Sequence, residues 1–461
     1  MQKNYEYSGQ VISLGSDGEG IIKMPDGVAF VPLCLTGEEV SFKALKVKGN
    51  VAYGKLTEVA SLSPDRAMPV CSVYEKCGGC QLQHMNYSAQ LEFKRDSVAN
   101  CLKKIGGIEA KVEDTVPSER QFSYRNKLAL PVGTDEQGNA QVGFYAPRSH
   151  RIVPINECAL QQDWAKKLIA CTLAYMRNEG VAGYDETDSS GVIRHIVARE
   201  IKGKFIFTVV ATKKTDLQPL GKLLEKQFKK FTLLLNVNSG TGNAVFSNEW
   251  YICRGEGFFE GEDMGVKYKA GANTFLQVND DVRTALYSAV ISAVCDKNAV
   301  AIDLYSGGGM LTAMLAKRCK AAYGIEIVNE AVKCADELKV MNGLEDKMFN
   351  ICGAVEDKIG EVFAKTEGSE RVIVCDPPRK GMERSVVKAI IESGAEKVVL
   401  VSCNPATLAR DLGLLCGSLK EEEGQLVKCP ADGAYVIERI TPFDMFPQTK
   451  HVETLVCLTR K

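Results

Sequence analysis

Residues 398–412, VVLVSCNPATLARDL, carry an apolar β-branched run that stops at Ser402-Cys403-Asn404-Pro405, where a helical pattern begins. A cysteine where a strand gives way to a helix stands where α/β enzymes place working residues. A helix N-terminus beyond it would lower its pKa and favour the nucleophilic thiolate. Near the C-terminus, PFDMFPQTKHVETLVCL sets Glu453 at the start of the last strand. The segment TPFDMFPQT is expected to be a loop that brings this carboxylate over the sheet edge as a proton acceptor. A third group is Cys71-x5-Cys77-x2-Cys80. A zinc ribbon needs a second close pair, which does not follow, and the first gap is too long for C-x3-C-x2-C.

These residues need a scaffold. From about residue 299 the rhythm is strand, loop, helix: AVAIDLY, AAYGIEI, RVIVCD and KVVLVSC are short apolar runs of strands buried on both faces of a parallel sheet. A doubly wound α/β domain follows, with its ligand beyond the carboxyl ends of the strands. Residues 67 to 285 mix a helix (YSAQLEFKRDSVANCLKKIG) with strands of a largely antiparallel sheet, and DVRTALYSAVISAV leads into the last domain. Residues 1 to 60 alternate apolar and polar positions between Ser-Asp-Gly and Pro-Asp-Gly turns, which predicts a five-stranded barrel joined on by the linker SLSPDR.

Composition narrows the class. The chain has 461 residues, 45% hydrophobic and 25% charged, with 57 Lys+Arg against 58 Asp+Glu, so any nucleic-acid surface must be local. No apolar run approaches the roughly 20 residues of a membrane helix, and the N-terminus lacks the apolar stretch of a signal peptide. A cytoplasmic protein is expected. Of its 17 cysteines, Cys34, Cys101, Cys171, Cys295, Cys319, Cys334 and Cys352 read as small core residues.

Three strand ends carry ligand-binding signals. Asp303 precedes Gly307, Gly308 and Gly309; Glu326 ends the next strand and suits a ribose diol; Asp376-Pro377-Pro378-Arg379 ends VIVCD. This succession resembles the S-adenosylmethionine-dependent methyltransferases. Asp-Pro-Pro also resembles amino-methyltransferases, but Arg379 stands where those carry a base-stacking aromatic. Cys403 suits another acceptor, C5 of uridine. A thiolate adding at C6 makes C5 nucleophilic, and a base such as Glu453 then removes the C5 proton.

Ser402-Cys403-Asn404-Pro405 together with Asp444-x-Phe446-Pro447-x-Thr449-x-His451-x-Glu453 is similar to the RNA (uracil-5-)-methyltransferase family over nearly the whole chain. The resemblance implies Cys403 as nucleophile and Glu453 as proton acceptor. It implies Gln277, Tyr305, Glu326 and Asp376 at the cofactor, Phe275 beside the uracil, and Asn342 as a further cofactor position. Ser306 and Met310 depart from residues common in the family's Gly loop. The Cys71–Cys80 segment resembles the iron–sulfur knuckle of the 23S rRNA branch, which implies a [4Fe–4S] cluster with Cys158 as fourth ligand.

Residues 1 to 60 look like a TRAM domain, an OB-like barrel of RNA-modifying enzymes. The expected architecture is therefore α/β: this barrel (1–60), a mixed α+β iron–sulfur and RNA-binding domain (67–285), and a Rossmann-like methyltransferase domain (286–461). FSYRNKLAL offers Tyr124, Arg125 and Lys127 as a second RNA surface. His84, His150 and His195 fit no triad, whereas His451 could orient the loop around Glu453. The expected partner is 23S rRNA, with neither DNA nor membrane, and the chain is expected to be a monomer. The same chemistry on the T-loop uridine of tRNA, or a non-catalytic RNA-binding iron–sulfur protein, stays open.

Overall fold

The computed structural model describes residues 1–294, 296–430 and 432–461; Cys295 therefore lies outside the described residues. Among these, the strands form a closed five-stranded barrel, two seven-stranded sheets and two hairpins. The barrel comprises β1 (Glu6–Leu14), β2 (Gly20–Met24), β3 (Gly27–Val31), β4 (Glu39–Lys48) and β5 (Val51–Ser61), closed in the order β1-β2-β3-β5-β4. Alternation turns Val11, Ile22, Val31, Val40 and Phe42 inward. The linker is pinned down. Glu38, fully buried, accepts from the N–H groups of Leu35 (2.8 Å) and Ser63 (3.2 Å) and from the Arg66 guanidinium.

Helix α1 (Tyr87–Cys101) is capped by Asn86, whose side chain accepts from the Ala89 N–H. The central sheet is built from β6 (Lys127–Thr134), β7 (Ala140–Tyr145), β8 (Ile152–Pro154), β9 (Ile193–Ile201), β10 (Lys204–Ala211), β11 (Phe231–Val237) and β12 (Trp250–Arg254). Its order is β12-β11-β10-β9-β6-β7-β8, and only the β10–β11 pair is parallel. Helices α2 (Asp163–Asn178) and α3 (Gln218–Glu225) bury Trp164, Leu168, Tyr175 and Leu224 in its core. A hairpin, β13 (Phe258–Asp263) and β14 (Val266–Gly271), follows.

The C-terminal region runs α4 (Asp280–Val294), β15 (Val300–Leu304), α5 (Met310–Ala316), β16 (Ala321–Glu326), α6 (Asn329–Met341), β17 (Met348–Cys352), α7 (Val355–Lys365), β18 (Arg371–Cys375), α8 (Arg384–Glu392), β19 (Lys397–Ser402) and α9 (Pro405–Leu415). A small hairpin, β20 (Leu419–Glu422) and β21 (Gln425–Lys428), precedes β22 (Tyr435–Phe443) and β23 (Glu453–Arg460). The sheet order is β17-β16-β15-β18-β19-β23-β22, with β17 to β19 parallel and β23 antiparallel to both neighbours. The order reverses between β15 and β18, which opens a crevice at their carboxyl ends.

Two expectations fail here. Thr441, Pro442 and Phe443 belong to β22 rather than to a loop, so only residues 444–449 of that segment lead on toward β23, which lies inside the sheet. Cys334 and Cys352 are exposed, because α6 buries the face of Val332, Ala335 and Leu338 and β17 is an edge strand.

One face of this sheet packs α4, α5 and α6; the other packs α7, α8 and α9 together with Val98 and Leu102, from α1 and the turn after it. Helix α1 thus completes a layer of a sheet that begins some 200 residues later in the chain. Its Lys94 meets Asp444 in an ion pair with both side chains fully buried, and Lys94 also donates to the Phe446 carbonyl at 3.1 Å. Removing one partner strands a charge in the core, whereas replacing both with apolar residues does not. Asp444→Ala is therefore expected to lower stability by about 3–5 kcal/mol, and Lys94→Met/Asp444→Leu to recover most of it. Thermal melting of the three proteins tests this; a single variant melting with the parent would remove the pair from the list of constraints.

Candidate active site

Backbone register brings the chemistry together. In the β19–β23 ladder Ser402 lies opposite Thr454. Continuing that antiparallel register by one step sets Cys403 opposite Glu453. In the parallel ladders Leu304 lies beside Ile325 on one side and Cys375 on the other. The next step up aligns Tyr305 with Glu326 and Asp376. Five strand ends thus place Glu326, Tyr305, Asp376, Cys403 and Glu453 in one row along the rim of the crevice.

Glycine and capping geometry shape the cofactor side. Tyr305 takes φ +67°, which turns the chain sharply out of β15. An added Cβ at Gly307 or Gly308 would meet nothing within 4 Å, whereas at Gly309 it would lie 2.6 Å from Ala335 Cβ. The first two glycines therefore leave an open cradle, and the third lets α5 pack on α6. Glu326 accepts from the Gly307 N–H (3.0 Å) and the Val328 N–H (2.8 Å), which fixes its carboxylate with lone pairs to spare. Gln277 is 6% exposed, held where Asn126 donates to its carbonyl at 3.2 Å. A carboxylate over an open glycine cradle suits an adenosine-bearing ligand such as S-adenosylmethionine. Asn342 does not join this row; its side chain bonds the Lys267 backbone N–H (2.9 Å) and carbonyl (2.8 Å).

The reactive end is crowded with acid. Burial pushes the Asp376 carboxyl up to about 7, and burial together with Asp376 pushes Glu453 well above the usual carboxylate range. Glu453 is 4% exposed, so a solvated carboxylate is excluded. Burial, Glu453 and Asp376 likewise raise the Cys403 thiol. This reverses the lowering expected from the helix N-terminus. That end of α9 is already capped by Asn404, whose side chain accepts from the Ala406 N–H at 3.1 Å, and two carboxylates outweigh it.

The opposing charge is Arg379, which lowers both Cys403 and Glu453. Its carbonyl is gripped by the Asn404 side chain (2.9 Å) and the Thr407 hydroxyl (3.3 Å), which tie the Asp-Pro-Pro loop to α9. Sequence reasoning noted Arg379 only as a missing aromatic. Its position directly after Asp376-Pro377-Pro378 was the available signal.

Other expected residues divide. Cys71, Cys77, Cys80 and Cys158 line one cavity of about 380 Å³, with Phe275, Arg125 and Lys127 on its wall. Burial raises the thiols of Cys77 and Cys158, and pushes Cys80 up to about 12. Among the described residues no three His, Cys, Asp or Glu side chains are set to hold one metal ion. Phe275 is 71% exposed, as a base-stacking ring needs to be. Tyr124 is no surface residue: it is fully buried and donates to the Pro447 carbonyl at 3.2 Å. His84 is buried against the Tyr74 hydroxyl (2.7 Å), and burial lowers His195 to about 4, which suits packing roles. His451 packs edge-on to Phe446 beside Arg379, its pKa lowered to about 4 chiefly by burial.

Known proteins match this geometry. The family model described as tRNA (Uracil-5-)-methyltransferase matches residues 365–461, the part that holds Asp376, Cys403 and Glu453. A model described as RNA cap guanine-N2 methyltransferase matches residues 298–388, the cofactor half. Uncharacterised RNA methyltransferases of Clostridium acetobutylicum and Clostridium tetani are 35% and 37% identical over all of this chain and cover 98% and 97% of their own lengths. A crystal structure of Pyrococcus abyssi tRNA (uracil-54, C5)-methyltransferase with S-adenosyl-L-homocysteine superposes with a TM-score of 0.76 at 26% identity, covering 98% of this chain and 99% of that one. Among the described residues no helix is long and apolar enough to cross a membrane. With an intact row of site residues and relatives matched end to end, the chain belongs to the S-adenosylmethionine-dependent RNA (uracil-5-)-methyltransferase family.

Proposed function

We propose that the protein converts a specific uridine of 23S rRNA to 5-methyluridine through a covalent adduct between Cys403 and C6 of the base. The observation that carries this reading is the register of β19 and β23, which sets a thiol and a carboxylate opposite each other at one pocket. A uridine unstacked from an RNA loop enters beside Phe275, with Arg125 on its backbone. The Cys403 thiolate adds to C6, and the ring electrons make C5 a carbanion stabilised through the C4 carbonyl. S-adenosylmethionine supplies an electrophilic methyl group, which C5 takes. Glu453 then accepts the C5 proton, the C6–S bond breaks, and the thiolate leaves. Gln277, Tyr305, Glu326 and Asp376 hold the cofactor, and Arg379 offsets the charge of the thiolate and carboxylates.

The rRNA target is supported by two further features. The closed barrel of residues 1–60 suits a TRAM domain. The donor set of Cys71, Cys77, Cys80 and Cys158 suits a [4Fe–4S] cluster: four thiols surround one cavity, and the Gly79 N–H points at Cys77 Sγ from 3.4 Å. A tRNA uridine is the second reading, favoured by the Pyrococcus abyssi likeness.

Three outcomes are expected. Total RNA made with 5-fluorouridine, incubated with protein and S-adenosylmethionine, should stay attached on a denaturing gel. The attached RNA should be 23S, and Cys403→Ala should abolish the complex. No complex despite bound cofactor would end the C5 reading; attached tRNA would move the target. Turnover should fall as pH drops through the neutral range, because the Cys403 thiol and the Asp376–Glu453 pair, all raised by burial, take up protons and both nucleophile and base are lost. Cys403→Ser, free of the thiol's titration, should keep the pair's share of that limb in cofactor-dependent proton uptake. A flat acid limb would remove Glu453 from that role. Protein purified without air should carry roughly four irons per chain, and Cys158→Ser markedly less. A single zinc would overturn the cluster.

A further inference from the structure

The base-bearing segment is held from a direction the reaction does not require. Between β22 and β23 the chain crosses residues 444–452, and Gln448 there takes φ +70° while 3% exposed. A left-handed backbone at a buried non-glycine residue is strained and persists only where its surroundings over-determine it. They do. The Gln448 N–H donates to Gln90 Oε1 at 3.0 Å, and Gln90 Nε2 donates to Gln448 Oε1 at 3.0 Å. The Gln448 carbonyl accepts from the N–H groups of Gln81 (3.1 Å) and Leu82 (3.0 Å). Gln81 also spans the gap, donating from Nε2 to the Gly78 carbonyl (3.0 Å) and accepting from the Lys450 N–H (3.4 Å). Gln90 itself is 1% exposed and reaches back to the carbonyls of Leu82 (3.1 Å) and Met85 (2.9 Å).

These contacts join α1, the segment that directly follows Cys80, and a residue five positions before Glu453. They duplicate no bond of the catalytic sheet: β23 is already held by β19 and β22. What they fix is where the chain enters β23, and Glu453 is its first residue. Because Gln81 and Leu82 follow Cys80 in the chain, whatever fixes the Cys80 thiol also fixes the amides that grip Gln448.

We propose that Gln90 and Gln81 are positioning residues for the proton-abstraction step: by locking Gln448 they hold Glu453 against C5 of the Cys403-bound base. The inference rests on the function proposed above. Addition of Cys403 and methyl transfer need α9 and the cofactor rim, which this lock does not touch. Elimination alone needs the Glu453 carboxylate to take the C5 proton while the C6–S pair of electrons returns to sulfur. Slackening the lock should therefore slow elimination and leave the earlier steps in place. A shift of about 1 Å at such a group costs roughly 100-fold.

The test uses the full-length protein with Gln90→Leu, which removes the paired amide, and Gln81→Ala, a half-buried side chain outside the core. Each is assayed for S-adenosylhomocysteine binding, for trapping of 5-fluorouridine RNA and for turnover on ordinary RNA. Trapping at C5–F stops before elimination, so it reports addition and methyl transfer alone. Both variants are expected to bind S-adenosylhomocysteine and trap as the parent does. Turnover should fall roughly 10- to 100-fold, with an adduct to ordinary uridine RNA now visible on a denaturing gel. Trapping that falls in step with turnover, unchanged turnover, or slowed turnover with no uridine adduct overturns the proposal. So does loss of S-adenosylhomocysteine binding in both variants, which would make the lock a folding contact. A parent protein that fails to trap at all removes the covalent reading and this inference together; a parent that traps while its variants show no adduct removes only this one.

Discussion

An antiparallel strand inserted beside the last parallel strand is the constraint on which the rest of the molecule depends. Strands β15 to β19 can carry residues only outward from their carboxyl ends, so they supply a thiol, two carboxylates and a tyrosine but nothing that faces them. Strand β23 runs the other way and begins at the same rim. Its first residue, Glu453, thereby meets the last residues of β19 across a single ladder. That arrangement needs no long loop to reach over the site. It also accounts for the burial of Glu453, because its strand lies between two neighbours.

Burial sets the electrostatics. Asp303 and Glu453 are enclosed carboxyls and Asp376 is half-buried at the rim, and burial raises each of them. Asp303 is partly relieved by the Thr312 hydroxyl at 2.6 Å, and the charge of Arg379 helps to hold Glu453 ionised. A carboxyl with a raised pKa is a poor anion at rest and a strong base once ionised, which suits a group that must take a carbon-bound proton. The thiol pays the opposite cost, since the same acids oppose its ionisation. Arg379 is placed to relieve both, and α9 holds it there through its backbone carbonyl.

The N-terminal half is part of this machinery rather than an appendage. Helix α1 supplies a helical layer to the catalytic sheet, a buried cation to Asp444 and a paired amide to Gln448. Tyr124, ahead of β6, adds a hydroxyl to Pro447. The barrel packs on the same region through Leu35 against Leu82 and Met85. Among the described residues, the hydrogen bonds that reach residues 444–448 from outside the 443–453 stretch come from residues 81–124 and from Asn279, which donates to the Met445 carbonyl at 3.4 Å.

The sequence alone determined the strand ends and their chemistry. Continuous apolar runs mark β15, β16, β18 and β19 because strands buried on both faces tolerate little else, and the residue after each run is read directly. Hence Glu326, Asp376 and Cys403 were legible, as was the start of β23 at Glu453, whereas Tyr305 came only with the family resemblance and β15 runs one residue past Asp303. Alternation and paired turns likewise gave the barrel. Edge strand β17 and strand β22 were missed, since their half-exposed faces blur the apolar pattern. Only the tertiary structure decided what surrounds the site: that Lys94, Gln90 and Tyr124 face inward, that Arg379 serves the thiol, and that the Cys403 thiol is raised rather than lowered. The physical reason is separation. A side chain's burial, and the charge it meets there, depend on distant partners such as Gln448, 358 residues from Gln90, and no local period in the chain records them.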